Sequence, residues 1–171
     1  MKILVVSDTH GYETNLRTVF SKIGRIDYLI HCGDVEEHEA AIEEMAGCPC
    51  TFVRGNNDYA SKYPYDTVIT LENQKIFVTH GHRYGVSWDN TEAINAAKKA
   101  GCSVLMYGHT HRPLIELALS ERGVTAINPG SLTFPRQEGR KPSFIVMETD
   151  RFGKAHFTLN YLGRGNRLFF R

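Results

Sequence analysis

Five short stretches of the chain end in side chains that can coordinate a cation. They are Asp8-Thr9-His10, Gly33-Asp34-Val35, Gly55-Asn56-Asn57-Asp58, Thr79-His80-Gly81-His82 and Gly108-His109-Thr110-His111. Each has an ordinary reading when taken alone. Asp-Thr-His serves as a strand exit with a helix cap, and Gly-Asp or Gly-Asn-Asn-Asp makes a good turn. A lone His-x-His is nonspecific, although an extended backbone would send His109 and His111 to one side. Together they are harder to dismiss: five of the eight histidines (His10, His80, His82, His109 and His111) fall inside these stretches.

The donor types narrow the chemistry. Carboxylate, imidazole and amide oxygen without thiolate suit Mn²⁺, Fe²⁺, Co²⁺, Ni²⁺ or Zn²⁺ better than a structural cysteine–zinc site. The groups outnumber what one ion takes from a protein, and a carboxylate can bridge two. Two cations roughly 3.5–4 Å apart clamp a phosphoryl group and lower the pKa of a bridging water, giving hydroxide at neutral pH. Cys32, Cys48, Cys50 and Cys102 lack C-x-x-C spacing and read as free thiols, with Cys48-Pro49-Cys50 a weak metal signal. Cys32 beside Gly33-Asp34 reads as a packed strand thiol.

Elements must bring these stretches together. Apolar runs at 2–6, 27–32 and 50–53 read as strands, each ending at one of the motifs. Between them, Leu16, Val19, Phe20 and Ile23 recur at helical spacing before Gly24, and 36–47 is a Glu/Ala-rich helix. This βαβαβ order predicts parallel strands whose carboxyl ends face a common crevice. Farther on, 66–71 and 75–80 read as a hairpin around Glu72-Asn73-Gln74, and Ala93, Ile94, Ala97 and Ala100 form a helical stripe. Strands follow at 103–108, 114–119, 123–128, 143–150 and 154–162. The short turns at Ser120-Glu121-Arg122 and Arg151-Phe152-Gly153 suggest a meander. The segment 135–142, PRQEGRKP, is the most loop-like.

The chain has 171 residues, 42% hydrophobic and 23% charged, with formal net charge +1. Those totals fit one soluble domain, expected over 1–162 with a tail at 163–171. A near-neutral chain has no global field to recruit nucleic acid or an anionic membrane. No apolar run reaches the roughly 20 residues of a membrane span or the core of a signal peptide, so a cytoplasmic protein is expected. The tail combines three arginines with Leu168, Phe169 and Phe170. It reads as a frayed tail, as a terminal strand packing on the body, or as a contact in a homo-oligomer.

The blocks DTH (8–10), GDV (33–35), GNND (55–58), THGH (79–82) and GHTH (108–111) together resemble the calcineurin-like metallophosphoesterases. NPGS (128–131) resembles their small bacterial and archaeal phosphodiesterase branch. The resemblance runs from Met1 to about residue 162. It implies an α/β fold, a four-layer αββα sandwich of two mixed sheets packed face to face with helices outside. It implies two divalent cations, manganese first among them, with Asp8, His10 and His111 on one and Asn56, His80 and His109 on the other. Asp34 would bridge. A bridging hydroxide would then attack the phosphorus of a small-molecule phosphodiester.

Asn57 departs from the wider superfamily, where many members carry His thought to protonate the leaving group. An amide transfers no proton near pH 7. His82 is the nearest candidate acid, with a loop hydrogen bond as its alternative role. Arg112 and the Asn57 amide are candidates to offset developing charge, and the NPGS backbone is a candidate pocket wall. His31, His38 and His156 match no motif and read as structural or surface residues. A rival reading is a non-catalytic scaffold, since the same fold looks like the retromer subunit of eukaryotes, in which an eroded metal site coexists with protein-binding surfaces. Here all seven ligand positions are filled. A nuclease would call for a basic groove or an added capping domain.

Overall fold

The computed structural model describes residues 1–119 and 123–163. Its first strand, β1 (Lys2–Val6), shows how the core is divided. Side chains alternate across a strand, and Ile3, Leu4, Val5 and Val6 are all fully buried, so both faces of β1 are covered. Leu4 and Val6 join one apolar cluster, with Leu16 and Val19 of α1 (Thr14–Ile23) and Ile42 of α2 (Glu39–Ala46). Ile3 and Val5 join another, which meets the second sheet.

β1 pairs in parallel with β2 (Tyr28–His31), and β2 with β3 (Cys50–Phe52). After β4 (Asp66–Leu71), β5 (Gln74–Thr79) and a 3-10 turn at His82–Tyr84 comes α3 (Thr91–Lys99). The remaining strands are β6 (Val104–Met106), β7 (Leu114–Glu116), β8 (Thr125–Asn128), β9 (Ser143–Thr149) and β10 (Ala155–Tyr161). They form two five-stranded mixed sheets, ordered β10-β9-β1-β2-β3 and β4-β5-β6-β8-β7. Ile76 and Val78 of β5, Met106 of β6 and Ile127 of β8 meet Ile3, Val5 and Ile30 between the sheets. Ala93 and Ala97 of α3 are fully buried against Leu105 and Ala126, where small side chains let the helix lie close. The four layers are therefore helix, sheet, sheet and helix, as the family resemblance implies.

Two expectations are corrected. The last four strands are not one meander: β7–β8 pairs inside the second sheet, while β9–β10 pairs inside the first. The chain crosses between layers through 129–142, a choice that short turn signals do not encode. The second helix starts at Glu39 rather than residue 36, because Glu36 and Glu37 take left-handed conformations (φ 58 and 67). The turn at 120–122 lies outside the described residues, as does 164–171, nearly all of the tail. No described helix is long and apolar enough to cross a membrane.

Candidate metal centre

Every motif lies just past the carboxyl end of a strand. Asp8 and His10 follow β1, Asp34 follows β2, Asn56 and Asn57 follow β3, His80 and His82 follow β5, and His109 and His111 follow β6. Because β1-β2-β3 and β5-β6 run parallel within their own sheets, both sheets deliver polar loops to one end. The loops fold back sharply there. Asp8, His10, Asp34, His109 and His111 all have positive φ, between 48 and 66. Such conformations cost non-glycine residues of order 1–3 kcal/mol each and persist only where the surroundings enforce them. Backbone bonds enforce them here, from Asp8 N–H to Gly33 O (3.1 Å), His10 N–H to Asp34 O (3.0 Å) and Gly108 N–H to His80 O (3.2 Å). Gly108 and Gly55 permit the close approach. A Cβ at Gly108 would strike Ser7 Oγ and Asp8 Oδ2, and one at Gly55 would strike the Asp34 carboxylate.

The imidazole protons can be assigned from what each ring faces. His80 Nδ1 lies 2.7 Å from Cys32 O, and His111 Nδ1 lies 2.7 Å from Phe134 O. His10 Nδ1 lies 2.8 Å from Glu36 Oε1. Carbonyl and carboxylate oxygens only accept, so these three Nδ1 atoms carry a proton, and each ring in its neutral form turns a bare Nε2 inward. His10 Nε2 and His111 Nε2 then sit 3.3 Å apart, with Asp8 Oδ1 3.1 Å from the latter. His80 Nε2 is 3.1 Å from Asn56 Oδ1 and 3.5 Å from Asp34 Oδ2. Asp34 Oδ2 is also 3.8 Å from His10 Nε2. His109 Nδ1 is 2.8 Å from Asn56 Oδ1.

With the rings neutral, lone pairs converge on lone pairs, an arrangement that a cation satisfies and a neutral hydrogen-bond network does not. Asp8 Oδ1 is fully buried, yet no donor reaches it with hydrogen-bond geometry. Burial alone would raise the Asp8 carboxyl, but the neighbouring His111 and His80 rings outweigh it and bring the pKa down to about 2. The donors group as Asp8, His10 and His111 and as Asp8, Asp34 and His80, so Asp8 is common to both groups, while Asp34 Oδ2 also lies 3.8 Å from His10 Nε2. The residues present fit divalent cations.

The other predicted residues are placed as follows. Asn57 donates from Nδ2 to Asp34 Oδ2 (2.7 Å) and from its backbone N–H to Oδ1 (2.8 Å). His82 packs with ring centroids 5.4 Å from His80 and 6.2 Å from His109, and burial together with His80 lowers its pKa. Arg112 does not line the cavity over the donors; Arg136 does, together with Phe134, Asn57 and His109. The NPGS turn braces rather than lines the site. Gly130 N–H is taken by Asn128 Oδ1, and Ser131 Oγ donates to Asp8 O (2.8 Å). His31, His38 and His156 engage Thr9, Glu13 and Asp150 and are not among the converging donors.

Three residues were not picked out as site residues from sequence. Glu36 orients the His10 ring. Asp58, buried, accepts from the backbone N–H groups of Asp34, Val35, Glu36 and Gly55. Arg136 is tied to the site by its N–H on His111 O (2.9 Å). The carboxylate in GNND was the available signal for Asp58; nothing local marks Glu36 or Arg136.

Comparison with known proteins agrees with the geometry. The chain is 36% identical over 152 residues to the probable metallophosphoesterase YsnB of Bacillus subtilis, covering 86% of this chain and 83% of that one. It is 30% identical over 177 residues to the phosphodiesterase YfcE of Escherichia coli K12, covering 88% and 89%. Its fold matches the crystal structure of wild-type Vps29 of Entamoeba histolytica complexed with Zn²⁺, with TM-score 0.79, 22% identity, and coverage of 97% and 95%. A family model described as the calcineurin-like phosphoesterase superfamily domain matches residues 1–151, and the chain belongs to that superfamily.

Proposed function

We propose that this chain is a divalent-metal-dependent phosphodiesterase with a two-cation centre, acting on small-molecule phosphodiesters. The observation that carries the reading is the convergence of bare Nε2 atoms on carboxylate oxygens, with Asp8 Oδ1 buried and unpaired. In this reading Asp8, His10 and His111 hold one cation, Asn56, His80 and His109 hold the other, and Asp34 is shared. Such cations, manganese first among those to test, activate water near neutral pH and offset phosphoryl charge. The chain's own residues supply positioning. Asn57 holds the Asp34 carboxylate through two hydrogen bonds. Arg136 and the Asn57 amide stand in the wall of the same cavity, where they can donate to phosphoryl oxygens. Kinship with a protein named phosphodiesterase supports a diester substrate.

The scaffold reading rests on the likeness to Vps29, which at 22% identity extends to the fold alone. A retained set of seven donors favours catalysis. The test is hydrolysis of bis(p-nitrophenyl) phosphate with metal counting. Chelation should abolish turnover, Mn²⁺ should restore it, and two ions per chain should be bound. Asp34→Asn should stay folded, bind metal poorly and lose activity. Normal turnover by that variant with both ions retained would remove Asp34 from its shared role. No metal-stimulated turnover in wild type would leave the scaffold.

A further inference from the structure

The cavity over the converging donors is small. Its volume is about 170 Å³, below the roughly 300–1,000 Å³ of pockets that enclose a whole ligand. It can take a phosphoryl group, and the arms of a diester must lie outside it. Two larger cavities share its walls. One, about 570 Å³, reaches past Arg136 and Arg112 to Trp88 and Leu114, with Asp89 and Glu116 also in its lining. The other, about 610 Å³, is lined by Arg112, Thr133, Phe134, Pro135, Arg136 and Arg140, and shares Phe134 and Arg136 with the cavity over the donors.

Three arginines and no acidic residue line this second cavity. Among the described residues none of the three arginines makes an ion pair, although the chain as a whole carries net charge of only +1. Three exposed arginines around one cavity, with no acidic residue in its lining, make it a favourable place for an anion. The loop that carries Arg136 and Arg140 is also anchored to the site. Ser131 Oγ donates to Asp8 O and Thr133 Oγ1 to Thr9 O, both at 2.8 Å. His111 Nδ1 donates to Phe134 O (2.7 Å), and Arg136 N–H to His111 O (2.9 Å). The chain segment bearing these arginines is thus fastened to the backbone that positions the donors. Guanidinium groups suit phosphate because their paired N–H groups match its oxygens.

We propose that Arg112, Arg136 and Arg140 form a second anion subsite, which takes a terminal phosphate on the undisplaced arm of the diester. The inference rests on the phosphodiesterase reading and narrows its substrate class to diesters with a further phosphate group. The mixed-charge cavity beside Trp88 is the poorer place for that group, because Asp89 and Glu116 would repel it.

The test compares p-nitrophenyl propyl phosphate with its analogue bearing a phosphate on the distal propyl carbon, at Mn²⁺ saturation. Wild type should prefer the phosphorylated analogue by about 10-fold in kcat/KM, as expected for charge-assisted hydrogen bonds at an exposed site. Arg140→Gln should lose most of that preference and leave the propyl ester unchanged, since Arg140 lies outside the cavity over the donors. Raising the salt should shrink the preference in wild type. Methylating the distal phosphate, which removes one charge and mimics a phosphate inside a chain, should also reduce it. Equal rates on the two substrates in wild type, or a preference intact in both Arg140→Gln and Arg112→Gln, would overturn the subsite. Undiminished preference for the methylated analogue would overturn the terminal-phosphate assignment. If neither ester is cleaved, the phosphodiesterase reading itself fails. The arginines are then judged by calorimetry of inorganic pyrophosphate with chelator-treated protein. Weaker binding to Arg140→Gln supports the subsite, and equal binding overturns it.

Discussion

Asn56 and Asn57 are identical side chains at adjacent positions with different partners. Asn56 turns its amide oxygen to His80 Nε2 (3.1 Å) and His109 Nδ1 (2.8 Å). Asn57 turns its amide nitrogen to Asp34 Oδ2 (2.7 Å). One is placed to coordinate and the other to orient a carboxylate. Asn56→Ala should therefore empty or weaken one cation site and cost most of the activity. Asn57→Ala should keep both cations and lose about 10-fold or less, the scale of one neutral hydrogen bond, because the Asn57 N–H still holds Asp34. Metal counts and turnover on both variants check this, and a reversed pattern would exchange the two roles. The donors were legible in sequence because ligand chemistry is a property of side-chain type. Glu36 and Asp58 were not, because their work depends on which ring or backbone N–H groups the fold places opposite them.

At the scale of the element, strands and helices were legible where hydrophobic period decides them. β1 reads as a buried strand from Ile3, Leu4, Val5 and Val6 alone. The loops that carry the donors were not legible, since positive φ at Asp8 or His109 is a minority conformation for any non-glycine residue and is imposed from outside. Asp58 is a large part of that imposition, with its two carboxylate oxygens accepting four backbone N–H groups from 34–36 and Gly55. Removing it leaves buried donors unpaired, at about 1–3 kcal/mol each before relaxation. Asp58→Ala should destabilise the metal-free protein by about 3–5 kcal/mol in denaturant unfolding and also abolish cation binding. Asp34→Asn should cost little stability while impairing the same binding. If Asp58→Ala unfolded like wild type, the 33–36 loop would owe its shape to something else.

Across the whole molecule, the two sheets stack through one shared core and present their polar loops at a common end, so the site depends on all four layers. Sheet membership was the least legible feature: β8 and β9 are consecutive strands in different sheets, and nothing in 129–142 announces the crossing. The same packing makes a pH prediction about global stability. Alternation along β2 sends His31 toward the helix-facing side with Leu29, where its ring stacks on Phe52 at 6.0 Å. Nε2 meets Thr9 Oγ1 at 3.0 Å, while Nδ1 is buried without a partner. Burial holds the pKa near 4, down from 6.5, against an opposing pull from the Asp58 and Asp8 carboxylates. Between those two values the unfolded chain takes up a proton that the folded chain refuses. This contribution to stability is complete above about pH 6.5 and declines as the pH falls toward 4, by on the order of 3 kcal/mol in all. Urea unfolding of chelator-treated protein from pH 7.5 to 4 should show the decline, and His31→Gln should flatten it whatever that variant's stability at neutral pH. The difference between the two profiles reads the contribution of His31. Parallel pH profiles for the two would mean that the folded state accepts the proton, for instance by turning the His31 ring toward Asp58.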